Sequence, residues 1–250
     1  MRQDIRWKQM LQPGITAIVG AGGKSTVLKK LEEYGRGLPL LVTSTTKMYE
    51  EQGACYEPIC TLDEEEGLAY CEKQIQAGKT AAWFSGKDGK GKLIGLPAEM
   101  VSRIAERHPE WYILAEADGS RKKWLKAPGV HEPVIPPHTA ATVGVLNLQA
   151  LGLPLTEDKV YQIEQVAAIM KRKPGIVVTP FLLTRLIGHP HGLFKNSQGK
   201  KILFCTGYDY VQRRMVEALL EDLETVELDE IVLADGYRET CEIREVIERV

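Results

Sequence analysis

One short run, Ile15-Thr-Ala-Ile-Val-Gly-Ala-Gly-Gly-Lys-Ser-Thr26, limits what this chain can become more than any other stretch. Ile15 to Val19 is apolar and partly β-branched, as a buried strand is. Gly20, Gly22 and Gly23 form a bend without side-chain bulk, and Lys24, Ser25 and Thr26 open a helical pattern. Strand, glycine bend and helix start together make a phosphate cradle. Backbone N–H groups of Gly20, Ala21, Gly22 and Gly23 converge on an anion at a helix N-terminus, Lys24 brings a mobile positive charge, and the Ser25 hydroxyl can ligate Mg²⁺.

The usual P-loop pattern has a further glycine five residues before Gly23, where this chain has Ile18. The loop is therefore short, and resembles that of the Mur ligases more than that of Ras-like GTPases. Val27, Leu28 and Leu31 continue the helix until Gly35 and Gly37, and Leu38 to Thr43 forms a second strand, giving a βαβ unit. That strand ends in Thr43-Ser-Thr-Thr-Lys47, at the edge where open α/β sheets bind ligands. Thr43, Thr45 and Lys47 are expected to form a switch-like wall on the nucleotide.

Trp111-Tyr-Ile-Leu-Ala-Glu-Ala-Asp-Gly-Ser120 is the second informative run. Glu116 and Asp118 at the end of an apolar strand lie on one face, because strand side chains alternate. A P-loop protein places there the acid that holds Mg²⁺. Asp118 or Glu116 would complete the metal site begun by Ser25, and the other would orient a water, so Lys24, Glu116 and Asp118 are the expected catalytic set. The cationic segment Arg121 to Lys126 follows. Arg121 and Lys126 are candidates to face phosphates or an acidic substrate, whereas Lys122 and Lys123 read as a solvated face. The loop from Ala127 to His138 is stiffened by prolines and can shape a second pocket; His131 and His138 in it read as hydrogen-bonded loop residues.

The rest of the chain reads as further α/β layers. Helices are expected at 62–76 (capped by Thr61 or Asp63), 97–108, 156–170, 179–186, 210–222 and 239–250. Strands are expected at 80–85, 141–147, 174–179, 201–206 and 230–234, with a hairpin through 86–96. A chain of 250 residues with 44% hydrophobic and 26% charged content is an ordinary globular protein. Its net charge of −2 gives no reason to expect nucleic-acid or membrane binding. The five cysteines are odd in number and scattered, and together with the lack of a signal segment they point to reduced thiols and a cytoplasmic protein. A metal site from Cys55, Cys60 and His131 is not demanded by the spacing. Cys205, inside an apolar strand, reads as packing. The expected fold is α/β, a mostly parallel sheet flanked by helices in a P-loop NTPase-like three-layer sandwich. Residues 1–250 form a single domain, with 150–200 a candidate helical insertion.

Four motifs occur in order: Val-Gly-Ala-Gly-Gly-Lys-Ser-Thr, Thr-Ser-Thr-Thr-Lys-Met, Glu-Ala-Asp-Gly-Ser-Arg, and Leu-Lys-Ala-Pro followed by His-Glu-Pro-Val-Ile-Pro. Together they resemble the selenium-dependent hydroxylase accessory family YqeC, over residues 14 to about 160. The resemblance implies a P-loop NTPase-like protein associated with maturing molybdenum hydroxylases that need selenium. It supplies a pathway and not a reaction. ATP or GTP with Mg²⁺ is the expected cofactor set, and a molybdenum hydroxylase or a cofactor-handling protein the expected partner. It also leads one to expect a guanine-reading Asn-Lys-x-Asp after the 201–206 strand. This chain has Thr206-Gly-Tyr-Asp209 there, so the base stays open. Ligase or kinase chemistry on an acidic small molecule, and a nucleotide-gated binding module without rapid turnover, are the alternatives.

Overall fold

A computed structural model describes residues 2–49, 56–236 and 240–249. Nine strands form one sheet: β1 (Gly14–Gly20), β2 (Leu40–Ser44), β3 (Ile59–Cys60), β4 (Ala81–Phe84), β5 (Tyr112–Glu116), β6 (Ala141–Asn147), β7 (Lys200–Thr206), β8 (Glu230–Asp235) and β9 (Glu242–Glu248). Their spatial order is β9-β8-β7-β6-β1-β5-β2-β4-β3, and every pairing is parallel except β8 with β9. From β1 the chain runs outward to β2, β3 and β4, returns to β5 beside β1, and then crosses to β6 on the other flank. The carboxyl ends of β1, β5, β6 and β7 thus meet where the winding reverses, which is where open sheets of this kind place ligands.

Register decides which residues meet at that edge. Ile18 stands opposite Glu116 and Gly20 opposite Val145, while Asn147 stands opposite Thr206. Two residues on, Asp118 arrives beside Gly20 and Asn147 beside Gly22.

Helices cover both faces of the sheet. The helices α1 (Arg2–Gln9) and α2 (Lys24–Tyr34) lie on one, around a core of Trp7, Val27, Leu31, Ile18 and Phe204. The helices α3 (Glu64–Gln76) and α4 (Ala98–Arg107) bury Leu68, Val101 and Ile104 against Ile15, Leu41 and Ile113 of the opposite face. Three more, α5 (Ile163–Met170), α6 (Pro180–Gly188) and α7 (Arg213–Asp222), share a core with Leu146, Leu203 and Leu233. Asp63 caps α3 by accepting from the amides of Glu65 and Glu66, and Thr179 caps α6 ahead of Pro180. A separate antiparallel sheet joins 47–49, 86–87 and 92–94.

Several expectations are corrected. Residues 242–248 are strand β9 rather than a helix, although Ile243, Val246 and Ile247 have helical spacing. The open edge of β8 is the stronger influence: pairing it satisfies a row of backbone groups, and Gln3 of α1 brackets Ile243 with two 2.9 Å hydrogen bonds. Of the expected helix, Glu239 and Val250 lie outside the described residues. The helix expected from Thr156 begins at Ile163, because Val160 and Tyr161 pair with Leu125 and Lys126 and Gln162 turns left-handed with φ 56°. The strand expected at 174–179 is a single bridge between Pro154 and Val177. The opening residues, without a clear pattern, form α1 because Trp7 is fully buried against Phe204 and Tyr34, with ring centroids 5.4 and 6.1 Å away.

Packing on the α3 side yields a direct prediction. A Cβ on Gly67 would stand 1.9 Å from the buried Trp83 indole, whose Nε1 donates to Thr61 O at 3.0 Å. The ring cannot retreat without losing that bond. Gly67→Ala should therefore destabilise by at least about 2 kcal/mol, despite its better helix propensity, as read from urea unfolding.

Candidate functional site

The site grows from the bend that ends β1. Gly20, Gly22 and Gly23 have φ of 96°, 79° and 146°, and their neighbours leave no room for a side chain. A Cβ on Gly20 would stand 2.2 Å from Val145 O, one on Gly22 2.5 Å from Asn147 Cβ, and one on Gly23 2.7 Å from Thr206 Cγ2. Thr206 Oγ1 donates to Gly22 O at 2.6 Å and pins the bend to β7. Ala21 N–H donates to Val145 O. No side chain caps α2. Among the described residues the amides of Gly22, Gly23 and Ser25 meet no backbone carbonyl, as the first turn of a helix requires.

Lys24 is folded back rather than extended. Its ammonium donates to Gly20 O at 2.8 Å and lies 2.8 Å from Asp118 Oδ1 and 3.7 Å from Glu116 Oε1. Burial opposes the charge, but the Asp118 and Glu116 carboxylates, the Asp118 hydrogen bond and the more distant Glu132 outweigh it, so the Lys24 pKa is raised above the usual lysine value. Asp118 is itself fully buried and receives the Gly20 N–H on both oxygens, at 3.1 and 3.0 Å. Its Oδ2 lies 3.0 Å from the ammonium of Lys126, whose side chain has no exposed area. Lys126 in turn donates to Gly119 O at 2.6 Å and to Glu132 Oε2 at 2.8 Å. Five charged groups therefore alternate in sign from Glu116 through Lys24, Asp118 and Lys126 to Glu132. Removing any inner member leaves a buried charge short of a partner.

The other predicted residues fall as follows. Ser25 is exposed at the start of α2 and Thr26 is buried. Thr43 is fully buried and donates to Trp83 O at 2.7 Å, and Thr45 donates to Val134 O at 2.6 Å. These hydroxyls, with Ser44 on Glu116 O, stitch the end of β2 to β4, β5 and the proline loop. Lys47 belongs to the small antiparallel sheet and pairs with Asp88 at 3.2 Å. Arg121 is exposed, with its guanidinium 5.1 Å from the centroid of Tyr161. Asp209 accepts from Gly236 N–H at 3.0 Å, tying the ends of β7 and β8 together. The structure thus brings Gly20, Lys24, Glu116, Asp118 and Lys126 together, with Ser25 next in the chain after Lys24, and gives Thr43, Thr45 and Lys47 partners elsewhere.

Two contributors had no assigned role in the sequence reading. Glu132 clamps Lys126 across a proline loop, and Thr206 anchors the bend from a strand far along the chain. Neither spacing has a period that pattern reading detects. Among the described residues no group of three or more His, Cys, Asp or Glu side chains is arranged to hold a metal, and Cys55 of the Cys55–Cys60–His131 set lies outside them. Burial pushes the Cys205 thiol up to about 12, in keeping with a packing role.

These features define a mostly parallel α/β protein with a glycine bend, a folded-back lysine and a buried acid pair at its switch point. Among known proteins, the family model described as YqeC protein matches residues 16–164, and the chain belongs to that family. It is similar to Uncharacterized protein YqeC of Escherichia coli (strain K12), at 29% identity over 229 residues, covering 90% of this chain and 88% of that one. No solved structure matches. No helix among the described residues is long and apolar enough to cross a membrane.

Proposed function

We propose that this chain is a P-loop NTPase-like protein that binds ATP or GTP with Mg²⁺ at the bend between β1 and α2. We further propose that it cleaves or transfers the terminal phosphoryl group as an accessory step in maturing selenium-dependent molybdenum hydroxylases. The observation that carries this reading is the placement of Lys24 on Asp118 and Glu116 directly beneath the uncapped start of α2. A helix start with free amides, a bend that admits no Cβ and a mobile ammonium are the donor set of a polyphosphate site. Ser25, Asp118 and Glu116 are hard oxygen donors of the kind Mg²⁺ takes alongside phosphate.

In this reading the amides of Gly22, Gly23, Lys24 and Ser25 hold phosphate oxygens. Lys24 swings from the acids to the β/γ-phosphates, which its long stem allows. Ser25 and Asp118 would hold the cation, and Glu116, released from Lys24, would orient the attacking water. Mg²⁺ when bound neutralises charge on the phosphate oxygens. Arg121, exposed over Tyr161 beside the site, supports a second reading in which an acidic small molecule accepts the phosphoryl group.

Purified protein titrated with Mg-ATP and Mg-GTP, with released phosphate and nucleoside diphosphate measured, tests the reading. Phosphate release without an acceptor supports the NTPase, and nucleoside diphosphate formed only with an added carboxylic acid, the phosphoryl group remaining on the acid until a second nucleophile displaces it, supports the ligase or kinase. Tight binding without release supports a nucleotide-gated module. Lys24→Ala should weaken nucleotide binding at least about tenfold, since it deletes a charge-assisted contact. Unchanged affinity in that variant would end the nucleotide reading in all three forms.

A further inference from the structure

Both oxygens of Asp118 accept from the Gly20 N–H, and each is paired with a different lysine, the two lysines being anchored differently. Oδ1 is paired with Lys24, whose other contacts are one backbone carbonyl and a carboxylate 3.7 Å away. Oδ2 is paired with Lys126, which is anchored at both remaining positions, to Gly119 O at 2.6 Å and Glu132 Oε2 at 2.8 Å. Lys126 also sits 5.7 Å from the centroid of the Tyr161 ring, so its path toward solvent is closed by an aromatic face. Two of the three donor positions of its ammonium are used on Gly119 and Glu132, and Asp118 Oδ2 stands in ion-pair contact 3.0 Å away, on a lysine side chain with no exposed area, so a ligand arriving from solvent has no open approach to it.

We propose that Lys126 is a positioning residue rather than a ligand-binding one. Clamped by Glu132, it fixes Asp118 through Oδ2 so that Oδ1 alone is presented to the cation–nucleotide site. This rests on the nucleotide reading above and deepens it. Two lysines flank one carboxylate with separate tasks: Lys24 is the exchangeable partner and Lys126 the permanent one. Glu132 extends the clamp into the loop that begins at Ala127, so the orientation of Asp118 depends on where that loop lies. The clamp also accounts for a buried lysine that would otherwise stand beside a cation site at a cost, since Glu132 balances its charge.

The test separates cation-dependent from cation-independent binding. Affinity for ATP and for GTP is measured by calorimetry with excess Mg²⁺ and again with EDTA, for the wild type, Lys126→Met and Glu132→Gln. Lys126→Met is expected to lower the Mg²⁺ enhancement of affinity by about tenfold or more, the usual cost of removing a group that orients a metal ligand, while affinity in EDTA changes little. Glu132→Gln should act in the same direction and more weakly. Its side chain is partly exposed, so it decides the matter if Lys126→Met does not fold. An equal loss with and without Mg²⁺ would show Lys126 touching phosphate and overturn the proposal, as would an unchanged enhancement. A wild type that binds neither nucleotide would remove the reading of the site itself, and the proposal with it.

Discussion

Asp118→Ala should cost about 3 kcal/mol or more of folding stability, the largest loss expected from a single polar substitution in this chain. The carboxylate is fully buried between two ammonium groups, at 2.8 Å from Lys24 and 3.0 Å from Lys126. Removing it leaves those charges facing each other through a cavity, with Glu116 and Glu132 at the outer ends only. The Gly20 amide also loses its acceptor. Asp118→Asn would not rescue the fold, because its amide group must point a donor at one of the two lysines. Chemical denaturation measures the loss, and a double-mutant cycle assigns it. Adding Lys126→Met to Asp118→Ala should cost much less than Lys126→Met alone, because the charge it deletes has already lost its main partner. Additive losses would mean that the two groups do not act as a unit.

Gly20→Ala should be nearly as damaging, by about 3 kcal/mol, for a different reason. At φ 96° a side chain is strained wherever it points, and here its Cβ would stand 2.2 Å from Val145 O and 2.7 Å from Leu193 Cδ1. The first contact is with backbone of the neighbouring central strand, which cannot rotate away. Relief requires β1 to shift along β6, carrying the Gly20 amide off Asp118 and Gly20 O off Lys24. Thermal stability should therefore fall and, on the function proposed above, nucleotide affinity with it. By contrast Gly37→Ala, at φ 87° but with open space around its Cβ, should lose only the modest backbone strain. A Gly20→Ala protein as stable as the wild type would mean that β1 is not held in the register described.

How much could be read in advance differs by element. The strand–bend–helix at Ile15 to Thr26 was legible because glycine, lysine and hydroxyl at fixed offsets are a local signal, and the structure holds those residues together as β1, bend and α2. The pairing of Glu116 and Asp118 on one face followed from strand alternation alone. Asp63, Thr179 and Pro180 were readable because caps are satisfied within three residues of themselves. The hydroxyl run Thr43 to Thr46 shows the limit of position as a signal. It does sit at the ligand edge, but Thr43, Ser44 and Thr45 donate to carbonyls of Trp83, Glu116 and Val134, partners that only the sheet brings near.

The sequence by itself determined the α/β class, the existence of the glycine bend, and the two acids at the end of a buried strand, since each depends on contacts a few residues apart. Only the tertiary structure decided that 242–248 would be an edge strand, that Lys126 would be sealed inside, and that Glu132 would hold it. Each of those outcomes is set by which unsatisfied hydrogen-bonding group or buried charge lies across the sheet, and the free energy of satisfying it exceeds the local preferences along which a sequence can be read.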